Sequence, residues 1–335
     1  MADALRVALI GTGRIGRVHA ATLARTEGVE LAVVCDVDVV SAGSVAAAYG
    51  GSVATDPGLV IGSADVEAVV IASPTSTHVD LLAMAVEAGV PALCEKPIDL
   101  DIGRVDALRE RAAAATAPVM VGFNRRFDPH FAALHARVAA GEIGRLEHLA
   151  ITSRDPAPPP VGYLAVSGGL FRDMTIHDLD MARWFVPDIV SVTATGLHQF
   201  DEDIAGVGDY DAAVLTLVGA RGESVVITNS RHSAYGYDQR LEAFGPDGLL
   251  SVCNVTDTVV RFSGATASEL GDPFQNFFLE RYAAAYAREL AAFVSAVRGE
   301  DVTVPGFEDG RAALLLADAA VVSAREGRRV DVDLG

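Results

Sequence analysis

Apolar and polar positions follow one rhythm up to about residue 120 and another after it. In the first stretch, short and almost continuously apolar runs alternate with longer amphipathic ones. LRVALI (5–10), ELAVVCDVD (30–38), DVEAVVIASPTSTH (65–78), VPALCEKP (90–97) and APVMVGFNRRF (117–127) are the short runs. A strand covered on both faces needs no polar alternation, so these predict a parallel, doubly wound sheet. RVHAATLARTEG and VDLLAMAVEAG lie between them and read as helices, the second closed by Gly89. In the second stretch, LEHLAITSRD, IVSVTATGLHQF, DAAVLTLVGARGESVVITNSRHSA, YDQRLEAFGPDGLLSVCN and TVVRFSG carry β-branched runs divided by Gly, Asp and Pro. Their close spacing predicts a large, mostly antiparallel sheet. LERYAAAYARELAAFVSAVRG and EDGRAALLLADAAVVSAREG then read as two amphipathic helices, each ending at glycine. No fixed-period repeat is evident, and PAPPP (156–160) marks a loop.

The expected architecture is therefore α/β: an N-terminal domain over 1–122 on a doubly wound parallel sheet and an α+β domain over 123–335 with a large, mostly antiparallel sheet. A length of 335 residues, half of them hydrophobic, suits two such domains. A formal net charge of −19 speaks against nucleic acid, whose phosphates repel such a surface. Cys35, Cys94 and Cys253 are scattered without CxxC spacing, which excludes a disulfide framework and disfavours a zinc site. No signal peptide is evident and no apolar run reaches spanning length, so a soluble cytoplasmic protein is expected.

The first candidate chemistry is GTGRIG between the first strand and the first helix. Gly11, Gly13 and Gly16 fit G-x-G-x-x-G, with Arg14 and Ile15 opening the helix. In that context the motif brings a pyrophosphate to a helix N-terminus. Asp36 ends the second strand, 20 residues after Gly16. A carboxylate there accepts hydrogen bonds from the ribose hydroxyls of NAD and repels the 2′-phosphate of NADP, and Val37 and Asp38 supply no arginine for that phosphate. NAD is the expected cofactor. In a doubly wound sheet, ligands lie beyond the C-terminal strand ends. There the sequence places Ser73, Thr75 and His78, then Glu95 and Lys96, then Asn124 and Arg126. Lys96 at that rim stands where substrate and nicotinamide meet. His78 reads as a cofactor-side or turn residue rather than a base.

GGLFRDMTIHD (168–178) sets Asp173 and His177 four residues apart, on one face of a helix. Taken alone, such a pair is a common helix-surface contact. A metal reading through His177, Asp173 and Asp178 lacks a third ligand at suitable spacing, so no metal is expected.

GTGRIGRVHA, SPTSTH, CEKP, GFNRRFD and GGLFRDMTIHDLDMARW together resemble the glucose-fructose oxidoreductase/inositol dehydrogenase/rhizopine-catabolism (Gfo/Idh/MocA) family, over nearly the whole chain. FRDMTIHDLDMAR and YDQR are most like its inositol 2-dehydrogenase branch. The resemblance implies an N-terminal Rossmann domain followed by an α+β domain with an open sheet, its C-terminal helices partly packing back on the first domain. It further implies a homotetramer joined through exposed sheets, NAD-dependent oxidation of a cyclic polyol, and catalytic places for Lys96, Asp173 and His177. It also implies a substrate role for Asp155. In that chemistry His177 is the general base, Asp173 fixes its tautomer, and Lys96 stabilises the developing alkoxide while hydride passes to nicotinamide. Asn124, Arg126, Tyr235 and Asp238, with Asp155, are candidates to hydrogen-bond the hydroxyls. Arg126 has a structural ion pair as its alternative, and Tyr235 simple ring packing. Myo-inositol is the expected substrate, with another inositol isomer, an aldopyranose or an anhydrosugar as the runner-up. A non-catalytic NAD-binding regulator is the reading from a different class.

Overall fold

A computed structural model describes residues 4–335. The described residues divide into two compact units, one running up to Phe127 and joined by Ala284–Leu314, the other Asp128–Ala283 with Leu315–Gly335. The first unit is built on six strands: β1 (Leu5–Ile10), β2 (Val29–Cys35), β3 (Ser52–Ala54), β4 (Ala68–Ile71), β5 (Ala92–Cys94) and β6 (Val119–Val121). They lie in the order β3-β2-β1-β4-β5-β6, and every pair is parallel. The apolar runs are apolar because both faces are covered: all four residues of β4 are buried, as are the last four of β1. Val7, Leu9, Val34, Val70 and Leu93 share this core with Leu23, Val45, and Leu290 and Phe293 from the late segment. Part of the acidic excess has a local use. Asp38, Asp56 and Asp101 each cap a following helix by accepting backbone N–H groups. Gly89, at φ 67°, ends helix His78–Ala88 in the left-handed conformation that glycine tolerates.

The second unit holds β7 (His148–Arg154), β8 (Ile189–Leu197), β9 (Ala212–Gly219), β10 (Ser224–Ser230), β11 (Asp238–Gly245) and β12 (Gly248–Val252). β13 (Arg261–Gly264) and β14 (Ala267–Gly271) form a separate hairpin, and β15 (Val330–Asp331) is an edge. The seven-stranded sheet runs β12-β11-β7-β10-β9-β8-β15. It is antiparallel throughout except for β7 beside β10, which are parallel. One face is apolar and covered: Leu149, Ile151, Leu215, Leu217, Val225, Ile227 and Leu241 are buried. Helix Thr175–Phe185 lies against β7 and β10 on this side.

The predicted helix LERYAAAYARELAAFVSAVRG is broken. It forms Phe278–Arg281 and Ala283–Val297, with Tyr282 (φ −110°, ψ 15°) between them. The break seats two side chains of the second unit. The Tyr282 ring is buried edge-on to Tyr237, and buried Arg281 is paired with Asp128. The second predicted helix forms in one piece, Phe307–Glu326, and stops at Gly327 (φ 63°).

Candidate active site

In the first unit, the residues expected to bind the cofactor line the C-terminal edge of the parallel sheet, where strand order reverses between β1 and β4. The three glycines have different reasons. Gly11 is at φ 99°, and a Cβ there would lie 2.4 Å from the Ser73 nitrogen. A Cβ on Gly16 would lie 2.0 Å from the Gly11 carbonyl, so chain packing demands both glycines. A Cβ on Gly13 would meet nothing within 4 Å beyond its chain neighbours. That open space faces the start of helix Arg14–Leu23, whose N-cap, Gly13, makes no side-chain cap bond. Backbone N–H groups in the first turn of a helix point toward an approaching anion, and a donor set of that kind fits a pyrophosphate.

Asp36 stands one residue past β2. Its Oδ2 accepts from the Thr12 N–H (2.8 Å) and the Thr12 hydroxyl (2.7 Å), and its Oδ1 from the Asp38 N–H (2.9 Å). Burial pushes the carboxyl up, but these bonds outweigh it and hold Asp36 below the usual carboxylate range. A carboxylate accepts about four hydrogen bonds, so this one, with three donors on it, keeps room at Oδ1 for about one more, such as a ribose hydroxyl. Val37 beside it is 88% exposed.

Farther along the edge, Thr75 opens a short 3₁₀ turn, and the Ser73 and Thr77 hydroxyls are 2.7 Å apart. His78 is buried, with Nδ1 2.8 Å from the Pro97 carbonyl and Nε2 2.8 Å from that of Ser73. Its ring thus serves as a clamp between two turns, and any influence on a ligand passes through their backbone. Glu95 also faces inward, 2.7 Å from His19 Nε2, while Lys96 beside it is half-buried. Asn124 is buried just past β6. Arg126 donates to Asp309 at 2.9 Å, so the structural ion pair that the sequence left open is present.

In the second unit, Asp173 ends helix Gly169–Asp173 and His177 lies in the first turn of Thr175–Phe185. Their spacing spans a junction at Met174 instead of one continuous helix. The Met174 N–H bonds the Leu170 carbonyl (3.0 Å) and the His177 N–H that of Met174 (3.3 Å), so the chain keeps its helical sense. Both side chains are half-buried. The Tyr163 hydroxyl donates to Asp173 Oδ1 at 3.0 Å. Gly168 and Gly169 take φ 86° and 82°, and a Cβ on Gly169 would lie 2.9 Å from Asp209 Oδ1. Asp209 accepts the Leu170 N–H (2.8 Å) and pairs with buried Arg231 (2.9 Å), fixing the turn from which the Asp173 helix starts.

Beneath His177, Asp178 is wholly buried. It accepts the Ser153 hydroxyl of β7 (2.6 Å) and the Asn229 amide of β10 (2.7 Å). Asn229 Oδ1 in turn accepts the Thr175 hydroxyl at 2.7 Å. Two residues of the His177 helix are thereby bonded to two strands, a better-determined placement than apolar packing alone gives. Asp155 follows β7, its N–H on the Ser230 carbonyl (2.9 Å). Tyr235 donates to Asp238 Oδ2 (2.6 Å) and accepts from Arg154 (2.6 Å). Asp238 is buried and accepts from Tyr235, Arg154, Arg240 and Asn254. Burial raises its carboxyl, yet these donors bring it below the ordinary range. Such a saturated carboxylate braces the strand end, and Tyr235 belongs to the brace.

Tyr163, Asn229 and His19 were not singled out in the sequence, and Asp178 was named there only in the metal reading. For Asp178 a signal existed, an acid directly after His177, the pair flanked by Ile176 and Leu179. Tyr163 and Asn229 sit in segments whose composition is ordinary.

Residues 5–123 match an oxidoreductase family described as having an NAD-binding Rossmann fold, and residues 131–251 match the GFO/IDH/MocA C-terminal domain. An inositol 2-dehydrogenase of Rhizobium meliloti is 44% identical, over 98% of this chain and 99% of its own. The crystal structure of a myo-inositol dehydrogenase from Corynebacterium glutamicum superposes with a TM-score of 0.94 at 55% identity, covering 98% of this chain and 99% of that one. A scyllo-inositol dehydrogenase from Lactobacillus casei, with bound NAD(H) and scyllo-inositol, superposes at 0.90 with 28% identity, covering 98% and 99%.

Proposed function

From the premise that the chain belongs to the Gfo/Idh/MocA oxidoreductase family, we propose that it oxidises myo-inositol at one secondary alcohol, with NAD as the acceptor. The observation that carries this reading is the end-to-end likeness to an inositol 2-dehydrogenase, with Asp36 fixed and ionised where a ribose would be read.

Gly11, Gly13, Arg14, Ile15 and Gly16 hold the pyrophosphate and Asp36 the ribose. Ser73, Thr75, Glu95 and Lys96 shape the nicotinamide side, with His78 holding their turns. Bound NAD supplies an acceptor for the hydrogen that leaves carbon with its electron pair. Everything else is done by side chains of the chain. His177 takes the hydroxyl proton, a contribution of about 10²–10⁴ in rate. Asp173, oriented by Tyr163, fixes the imidazole and stabilises its cation. Lys96 donates to the oxygen as negative charge grows there. Asn124 and Asp155 read the remaining hydroxyls, and Arg126 and Tyr235 brace the backbone around them. Each buried hydroxyl left unpaired costs about 1–3 kcal/mol, which is how such a site selects among stereoisomers.

The same proposal includes a homotetramer. On the outer face of the second sheet, Thr195, Val214, Thr228, Thr152 and Arg240 fall in one cross-strand row, and Thr193, Thr216, Val226, Ala150 and Glu242 in the next. Val214 and Val226 are about two-fifths exposed there (42% and 41%), and a second copy would cover them. Among the described residues no helix is long and apolar enough to cross a membrane, and the three cysteines are free thiols, which suits a reducing cytoplasm.

The test is initial rates of NADH formation with myo-inositol, scyllo-inositol, D-chiro-inositol, D-glucose, D-xylose and levoglucosan, with NAD and NADP in parallel. A lead for myo-inositol with NAD is expected. A lead for a pyranose overturns the substrate, and no turnover with any of them revives a non-catalytic regulator.

A further inference from the structure

Behind the strand end that carries Lys96 lies a group of ionisable side chains, of which only Glu95 entered the reading above, and that only as a residue shaping the nicotinamide side. His19 and Glu289 are wholly buried and Glu95 is 9% exposed. They come from three elements: helix Arg14–Leu23, the end of β5, and helix Ala283–Val297. His19 Nε2 and Glu95 Oε1 are 2.7 Å apart. The Glu95 carboxylate lies over Gly122, where a Cβ would be 3.0 Å from Oε2, so a larger residue at 122 would displace it. Tyr286, one turn before Glu289, sets its ring edge-on to His19 at 5.8 Å. Neither carboxyl oxygen of Glu289 has a hydrogen-bond partner.

We propose that His19, Glu95 and Glu289 form a buried positioning cluster that sets where Lys96 stands and ties it to the helix behind the glycine turn. This rests on the role given to Lys96 above. Glu95 is still in the ladder, its N–H on the Ile71 carbonyl at 2.9 Å, and successive side chains on a strand leave on opposite sides. Fixing Glu95 inward therefore aims Lys96 outward. A buried carboxylate holds its place only while paired, and His19 is the donor that pairs it. Glu289 completes the group as a neutral acid. Burial first, and then the charge of Glu95, push its carboxyl well above the ordinary range, so it adds no second negative charge. Without His19, Glu95 must seek water, and the Glu95–Lys96 backbone moves with it.

His19→Phe keeps the ring and removes the donor, while His19→Gln keeps an N–H near Nε2. Three readouts apply: kcat and KM for the polyol, NADH affinity by fluorescence without polyol, and the Tm of cofactor-free protein. A misplacement near 1 Å costs about 10²-fold in rate. His19→Phe is expected to lower kcat by roughly that factor with NADH affinity within about threefold, and His19→Gln to recover most of it. Equal kcat for the two variants overturns the proposal. Where His19→Phe does not fold, Glu95→Gln gives the same reading: a tenfold or larger loss of kcat is expected, and wild-type kcat overturns it. Lys96→Ala is run alongside. Should it keep wild-type kcat, the role of Lys96 fails and the cluster with it; should Lys96→Ala lose activity while His19→Phe does not, the cluster alone fails.

Discussion

Replacing Asp36 by serine and Val37 by arginine should reverse the cofactor preference, and the geometry sets both the size and the cost. Asp36 is ionised at neutral pH, held by the Thr12 hydroxyl and two backbone N–H groups. A 2′-phosphate carries about 1.5–2 negative charges. At about 5 Å and an effective dielectric of about 40, each charge costs roughly 1.7 kcal/mol against the carboxylate, some 3 kcal/mol in all. That is about a 10²-fold discrimination. Val37 is 88% exposed, so an arginine there meets no steric obstacle. The cost is internal, because Asp36→Ser withdraws the acceptor from Thr12 N, Thr12 Oγ and Asp38 N. Thr12 is buried, and each orphaned donor costs about 1–3 kcal/mol unless water reaches it. The double variant should therefore shift the NADP/NAD ratio of kcat/KM by about 10²-fold or more while its Tm falls. Steady-state rates with both cofactors at fixed polyol, and a thermal melt, measure the two effects. A ratio changed less than threefold in a folded variant would refute Asp36 as the ribose ligand.

His177→Ala should lower kcat by about 10²–10⁴ and leave NADH affinity within threefold; parallel loss of cofactor binding in a fluorescence titration would remove its role as base. Asp178→Leu strands the Ser153 and Asn229 donors in a buried site and should cost about 2–5 kcal/mol in urea unfolding; a cost below about 1 kcal/mol would show that the network does not hold the His177 helix. Glu289→Gln should flatten the stability profile. A carboxyl raised in the folded state gives stability that is present below its unfolded pKa, near 4.3, and lost as pH rises toward the folded value. With the charge of Glu95 acting on it, the wild type should lose stability relative to the variant as pH climbs from about 5 to 8. Parallel melting curves for the two proteins across that range would contradict it.

The sequence by itself determined what depends on near neighbours. A strand covered on both faces must be apolar along its whole length, so the runs at 5–10 and 68–71 announced a parallel sheet. The conformation at Gly11 and the close approach at Gly16 exclude side chains, so GTGRIG was legible as a turn for phosphate. Asp36 follows because its place is one residue past the adjacent strand. Asp173 and His177 were legible as a pair by helical spacing, although not the junction at Met174 between them. Tertiary structure decided everything whose partner lies far along the chain. Arg126 meets Asp309 across 183 residues and His19 meets Glu95 across 76, pairings that no local pattern encodes. The parallel pairing of β7 with β10 depends on which strand edges remain after β9 and β11 have paired. Breaking the helix at Tyr282, where local propensity favours continuation, depends on buried places for its ring and for the Arg281–Asp128 pair. The chemistry-bearing residues are named by short-range constraints, and the packing of distant segments fixes how each is aimed.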